Sequence, residues 1–306
     1  MSSKNNKSNI FTDFKNATNN KNTDKYEAAR ASFWEYCKLI NPRFFRDDRP
    51  HLFIIADTLQ ALYEGRIRKS HPKSPWQIYT QEEIAEVFAN DEDFIICRQL
   101  MLNIPPRHGK SYTLTLFTQW MFGKDRENRV ITVSYNETLA IRFSTIVRDG
   151  IDATKIDKSW TIFSDVFPNT RIKEGDGAKQ LWSLDGSYFS YLGTGFGGTI
   201  TGIGCNIGII DDPVKNAEEA YNDNALEKQW QWYADTFLSR VEEDGIQIVN
   251  MTRWSTKDLC GRLLDSEDAL DWYELKMQAY DPATNKMLCA SLLSYKSYSN
   301  STFHKA

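Results

Sequence analysis

The sequence contains no CxxC pair and no regular cysteine spacing. Its five cysteines, Cys37, Cys97, Cys205, Cys260 and Cys289, are scattered and odd in number. That excludes a zinc ribbon or a disulfide framework and fits a reducing, cytoplasmic compartment. No apolar run approaches the ~20 residues of a membrane span. The first residues lack the apolar core of a signal peptide. Histidine is scarce. Only His51 and His108 fall near core-like segments, and neither has a second ligand at metal spacing, so a metal–histidine site is not expected. The net charge of −4 over 306 residues gives no global basic signature for nucleic acid. A local patch could still grip a phosphate backbone. Internal repeats and long linkers are also missing.

What is present is a chain that is 41% hydrophobic, enough for one large core or two small ones. Residues 1–24 are rich in Asn, Lys, Ser and Thr and are expected to be a disordered tail. Residues 26–39 have helical spacing, with Phe33, Tyr36, Cys37 and Ile40 on one face. Residues 51–63 make a second amphipathic helix. Residues 66–75 read as a basic loop, and 81–88 as a short helix. A strand is expected over 94–104, a buried helix over 112–122 and a buried strand over 130–135. Asn136 caps the helix that follows. Asp185-Gly186 signals a hairpin between 181–184 and 188–192. A buried strand over 206–210, one long helix over 217–238, a strand over 246–251 and a helix over 257–264 follow. A last strand is placed over 272–277, and the pattern fades from Asp281. Alternating strands and helices of this kind give an α/β fold with a mainly parallel central sheet flanked by helices.

The chemistry concentrates in Leu100–Gly123, LMLNIPPRHGKSYTLTLFTQWMFG. Gly109-Lys110-Ser111 stands where a strand passes through a loop into a helix. Such a junction presents backbone N–H groups and a helix dipole to an anion. Lys110 can reach the β- and γ-phosphates of ATP, and Ser111 can hold Mg²⁺. Pro106, Arg107, His108, Gly109 and Tyr112 complete the candidate nucleotide-binding set. The pattern is incomplete, because the glycine expected five places before Gly109 is Ile104. The second half of the site is Asn206–Pro213, where a buried strand runs into Asp211 and Asp212. Asp211 suits a magnesium ligand, and Asp212 suits the base that polarises water. A third strand tip offers Asn250, Thr252 and Arg253 as sensors of the γ-phosphate. Residues 193–198 match GxGxxG, but no helix follows to take a pyrophosphate, so a dinucleotide fold is rejected in favour of a mobile glycine-rich loop. Trp230, Trp232 and Tyr233 read as packing residues rather than base-stacking platforms.

The order PPRHGKS, VITVSYNETLA, GTGFGGTITG, IGIIDDPVKNAEEA and MTRWSTKDLCGRLL resembles the large terminase subunit of tailed phages over about residues 33–295. The resemblance implies an ASCE-type phosphate-loop ATPase that moves double-stranded DNA into a capsid in the host cytoplasm. It further implies a homo-oligomeric ring on a portal protein, a small terminase subunit as partner, and no membrane. It divides the chain into a helical segment at 25–93, the ATPase at 94–280 and a stub at 281–306, where a nuclease domain would begin. By the same resemblance Thr252-Arg253-Trp254 couples hydrolysis to movement. Many relatives place an arginine at the position of Ile203. Arg107 in cis, or Arg148 or Arg142 reaching a neighbouring subunit, are then the finger candidates. Two rivals stay open. One is another nucleic-acid ATPase of helicase type, and the other is a remnant that binds nucleotide without turning it over.

Overall fold

The computed structural model describes residues 23–87, 94–176, 178–200, 202–293 and 295–299. The expected tail therefore lies outside the described residues up to residue 22, whereas residues 23 and 24 already belong to a helix spanning 23–31. Two helices follow, α1 (Phe33–Ile40) and α2 (Pro50–Tyr63). Next come β1 (Ile67–Lys69), β2 (Gln77–Ile78), α3 (Gln81–Val87), β3 (Ile95–Ile96) and β4 (Gln99–Asn103). The nucleus of the fold is α4 (Lys110–Lys124), β5 (Val130–Ser134) and α5 (Glu137–Ile151). Beyond it lie α6 (Phe163–Val166), β6 (Leu181–Trp182), β7 (Tyr191–Gly195) and β8 (Cys205–Asp211). The last stretch holds α7 (Ala217–Ala220), α8 (Asp223–Trp232), β9 (Val241–Met251), α9 (Leu259–Leu264) and β10 (Trp272–Lys276).

Among the described residues, seven strands form the central sheet in the order β10-β4-β9-β8-β5-β7-β6. All are parallel except β6, which pairs antiparallel with β7. Both faces are covered, as a parallel sheet requires. Side chains alternate between two cores. Leu100, Leu102, Ile207, Ile209, Ile246 and Ile248 join the core beneath α1, α2, α4 and α5. Met101, Ile131, Val133, Ile210, Val249 and Met251 join the core with Tyr233, Phe237 and Leu259 on the other side. Helix α4 is buried almost all round, from Thr113 to Phe122. It lies between the sheet and the N-terminal helices. Phe33 meets Phe117 edge-on at 5.3 Å, and Trp120 Nε1 donates to the Ala29 carbonyl at 3.0 Å.

Four local expectations change. The strand expected over 94–104 is two strands in two sheets. β3 joins β1 and β2 in a small antiparallel sheet, while β4 enters the central one. The Cys97 N–H donates to Ile67 O and the Arg98 carbonyl accepts from Gln247 N–H, so the chain changes sheets there. The basic segment at 66–75 is accordingly not all loop, since it begins with β1. The long helix at 217–238 breaks at Asn222, whose side chain caps α8 by accepting from the Asn224 and Ala225 N–H groups. It then widens into a π turn over Tyr233–Phe237 and a 3₁₀ turn over Leu238–Arg240. The first half of the glycine-rich "mobile" loop, Gly193–Gly195, is the end of β7, a buried strand, and only 196–198 leave it in a turn. A Cβ on Gly193 would lie 2.9 Å from the Ala140 carbonyl oxygen. Glycine is there because α5 lies directly on the strand.

Candidate phosphate site

The alternation of the sheet aims the site. Ile207 and Ile209 face the α4 side, so Asp211, two residues on, faces it as well. The register places Ser134, Asp211 and Asn250 side by side on neighbouring strand tips. All three are buried, and they stand opposite the first turn of α4.

The loop before α4 reaches that turn through two left-handed residues. Arg107 has φ 65° and Gly109 has φ 81°. A side chain at Gly109 would be strained, and its Cβ would lie 2.7 Å from Phe44 Cζ. Asp212 is the third such position near the site, at φ 43°. Its N–H donates to the Asn250 carbonyl at 2.8 Å, and Pro213 narrows its backbone choices further. Left-handed non-glycine residues cluster at functional sites because their surroundings must impose the conformation.

The side chains then converge. Lys110 Nζ donates to Asp212 Oδ1 at 2.8 Å and to Thr252 Oγ1 at 2.7 Å. Ser111 Oγ donates to Asp211 Oδ1 at 2.9 Å. Asn250 Nδ2 donates to the same oxygen, and the Thr252 N–H donates to Asp212 Oδ1 at 3.3 Å. Burial, and then the adjacent Asp212 charge, hold the Asp211 carboxyl above the ordinary carboxylate range, while Lys110 opposes this. A cation at Asp211 would relieve that penalty. Ser111 and Asp211 supply the hard oxygen donors that Mg²⁺ takes alongside phosphate and water. Ser134 Oγ and Asn250 Oδ1 are buried in the same row without a partner among the described residues. The donor set therefore fits Mg²⁺.

The remaining expected residues are placed as follows. Pro106 and Arg107 border a cavity of about 1100 Å³ that Thr252, Arg253 and Trp254 also line. His108 points inward. Its Nδ1 lies 2.9 Å from Pro106 O, and its ring is 5.4 Å from that of His51. Burial holds both imidazoles neutral, His51 pushed down to about 4. Tyr112, expected at the nucleotide, faces the N-terminal helices instead. Its hydroxyl accepts from Asn41 Nδ2 at 3.0 Å, and its ring packs on Phe44 and Phe45. Arg253 is directed to Asp258 at 2.9 Å rather than to Asp211 or Asp212. Arg148, in the last turn of α5, binds Asp149 at 2.8 Å and the Ala178 carbonyl at 3.1 Å. Ile203 precedes β8 and so lies at the end of the sheet opposite Asp211. Sequence reasoning missed Ser134 and Asp258. The signals were the alternation of VITVS and an Asp directly before the apolar run LCGRLL.

No family model matches the chain, and no curated protein matches it. Two solved structures show a slight likeness in fold. The large terminase of bacteriophage HK97 is 13% identical, with 73% of this chain and 44% of that chain covered at a TM-score of 0.41. A variant of dbp5 from S. cerevisiae, bound to a gle1 variant and IP6, is 12% identical, with 75% and 52% covered at a TM-score of 0.36. The chain thus spans about half the length of each. Likenesses this slight carry no functional argument, so the case rests on the geometry.

Proposed function

We propose that the chain is a Mg²⁺-dependent ATPase whose turnover drives double-stranded DNA into a viral capsid. The observation that supports it most is the pairing of Lys110 with Asp212 and of Ser111 with Asp211, between the first turn of α4 and the tip of β8. A phosphate group entering the loop would take Lys110 from Asp212. The carboxylate of Asp212, freed of its counter-charge, then accepts the proton of a water aimed at the γ-phosphorus. The P–O bond to the β-phosphate breaks as the water oxygen bonds, giving ADP and phosphate. Ser111 and Asp211 would hold Mg²⁺, which supplies positive charge to the β- and γ-oxygens. Thr252 donates its N–H to Asp212, which puts the β9 tip in touch with the same event.

Support for DNA as the load is the ordered set of terminase-like motifs, which ends in Met251-Thr252-Arg253-Trp254. A ring of copies on a portal, helped by a small terminase subunit, belongs to the same proposal. The test is phosphate release by the purified chain with Mg²⁺-ATP, alone and with double-stranded DNA, single-stranded DNA or RNA. Stimulation by duplex DNA that weakens with added salt is expected. Stimulation by RNA alone would replace the packaging reading with a helicase-type one. No turnover under any condition, with ATP still bound, would favour a nucleotide-binding remnant.

A further inference from the structure

One carboxylate fixes the turn that leaves β9. Asp258 is fully buried. Its Oδ1 accepts from Arg253 Nε and from the Gly261 N–H, both at 2.9 Å. Its Oδ2 accepts from the Trp254 N–H at 2.9 Å and the Ser255 N–H at 3.1 Å. Capping α9 needs only the Gly261 contact. The other contacts all fall on residues 253–255. Arg253 closes the turn by donating from Nη2 to Ser255 O at 3.1 Å. A Cβ on Gly261 would lie 2.1 Å from the Thr256 carbonyl oxygen, so the helix start and the turn lie in direct contact. Thr252, the residue before this turn, accepts from Lys110 and donates to Asp212. Arg253 and Trp254 also wall the cavity beside Pro106 and Arg107.

We propose that Asp258 is a positioning residue of the phosphate site: through Arg253, Trp254 and Ser255 it fixes Thr252 against Lys110 and Asp212. The inference rests on the ATPase reading above. Its chemistry is that of a fixed reference point. When a γ-phosphate draws Lys110 away, Thr252 stays at Asp212 because Asp258 holds the turn behind it. The strand tip then registers a triphosphate as a changed contact rather than following the lysine. Asparagine cannot replace the carboxylate. Its one amide oxygen serves one set of N–H donors, and its NH₂ faces the other set donor to donor.

The test uses the full chain and two probes, Mg²⁺ with a non-hydrolysable ATP analogue and Mg²⁺-ADP, with affinities from calorimetry. Asp258→Asn should weaken the triphosphate by about tenfold, as loss of a supporting partner commonly does. ADP binding should stay close to wild type. Thr252→Pro, which removes the N–H that Thr252 donates to Asp212, should give the same loss, and the double variant should be no worse than Thr252→Pro alone. Hydrogen exchange over residues 252–262 of the nucleotide-free chain should speed up in Asp258→Asn. Asp258→Glu, which keeps the charge, should recover part of the triphosphate preference. If Asp258→Asn does not fold, Arg253→Gln carries the same expectation. A lowered Tm with an unchanged triphosphate-to-ADP ratio would reduce Asp258 to a helix cap and overturn the proposal. So would additive losses in the double variant. A wild-type chain that binds neither probe refutes the ATPase reading, and the proposal falls with it. Wild-type binding with a ratio that Asp258→Asn leaves unmoved refutes the proposal alone.

Discussion

Lys110→Ala separates a phosphate site from a structural ion pair, because the two readings differ in where the energy goes. Lys110 is only 5% exposed, and its ammonium spends two donors on Asp212 and Thr252. Asp212 keeps 38% of its side-chain exposure. Water can therefore replace the lysine there, and the pair is worth closer to a surface bridge than to a buried one. The loss of folding stability should be about 1–2 kcal/mol, including the hydrogen bond to Thr252. On a bound triphosphate the same ammonium would make two charge-assisted bonds at about 1.5–3 kcal/mol each. That is about 10²–10⁴ in affinity, and comparable losses are expected in turnover. Mg²⁺-ATP binding by calorimetry, phosphate release and urea unfolding measure the three quantities on one preparation. The expected pattern is a small stability loss beside a collapse of binding. A variant that binds and hydrolyses ATP near the wild-type level would refute the phosphate-loop assignment. A stability loss several times larger, with nucleotide affinity unchanged, would make Lys110 a structural residue.

Asp212→Asn should bind Mg²⁺-ATP but turn it over about 10²–10⁴ more slowly, since an amide cannot take the proton; phosphate release checks it, and wild-type speed would move the base to another residue such as Glu219. Gly193→Ala should cost about 1–3 kcal/mol in urea unfolding, because a Cβ 2.9 Å from the Ala140 carbonyl pushes α5 off β7. Stability should fall on acidification. The folded value of His51 is about 4, below its ordinary 6.5, so the unfolded chain takes up the proton first. The neutral ring's contribution is then complete above pH 6.5 and lost as pH falls towards 4, by up to about 3 kcal/mol. His51→Phe, which removes ring nitrogens that have no partner among the described residues, should flatten that slope in unfolding curves at pH 7.5 and 5.

The parts legible in the sequence were those with a local cause. Strands β5 and β8 announced themselves as β-branched runs bounded by polar residues. Asn136 was readable as a cap because its side chain accepts from the Leu139 N–H three residues on, a contact set by local geometry alone. Gly109-Lys110-Ser111 and Asp211-Asp212 were readable as two halves of one site, and in the structure they are joined by Lys110 and Ser111. What stayed hidden depends on contacts distant in sequence. Nothing local distinguishes Ile95-Ile96 from Leu100–Leu102. Only the pairing of Cys97 with Ile67 and of Arg98 with Gln247 sends the two runs into different sheets. Gly193 and Gly195 looked like loop residues because the approach of α5 to β7 leaves no trace near them in the sequence.

The same distinction explains where Tyr112 and Arg253 point. Tyr112 follows the loop serine, so proximity in sequence put it at the nucleotide. One residue beyond Ser111 is about 100° round a helix, and that turn carries it from the strand tips to Asn41, Phe44 and Phe45. Arg253 was chosen as a charge near the γ-phosphate, yet a buried carboxylate five residues later holds it. A guanidinium is drawn to a desolvated anion, and Asp258, fully buried, takes its hydrogen bonds from Arg253 and neighbouring N–H groups. The cation that a phosphate can draw from the strand tips is therefore Lys110, at the start of α4, and the arginine's contribution is to keep Thr252 where that lysine can leave it.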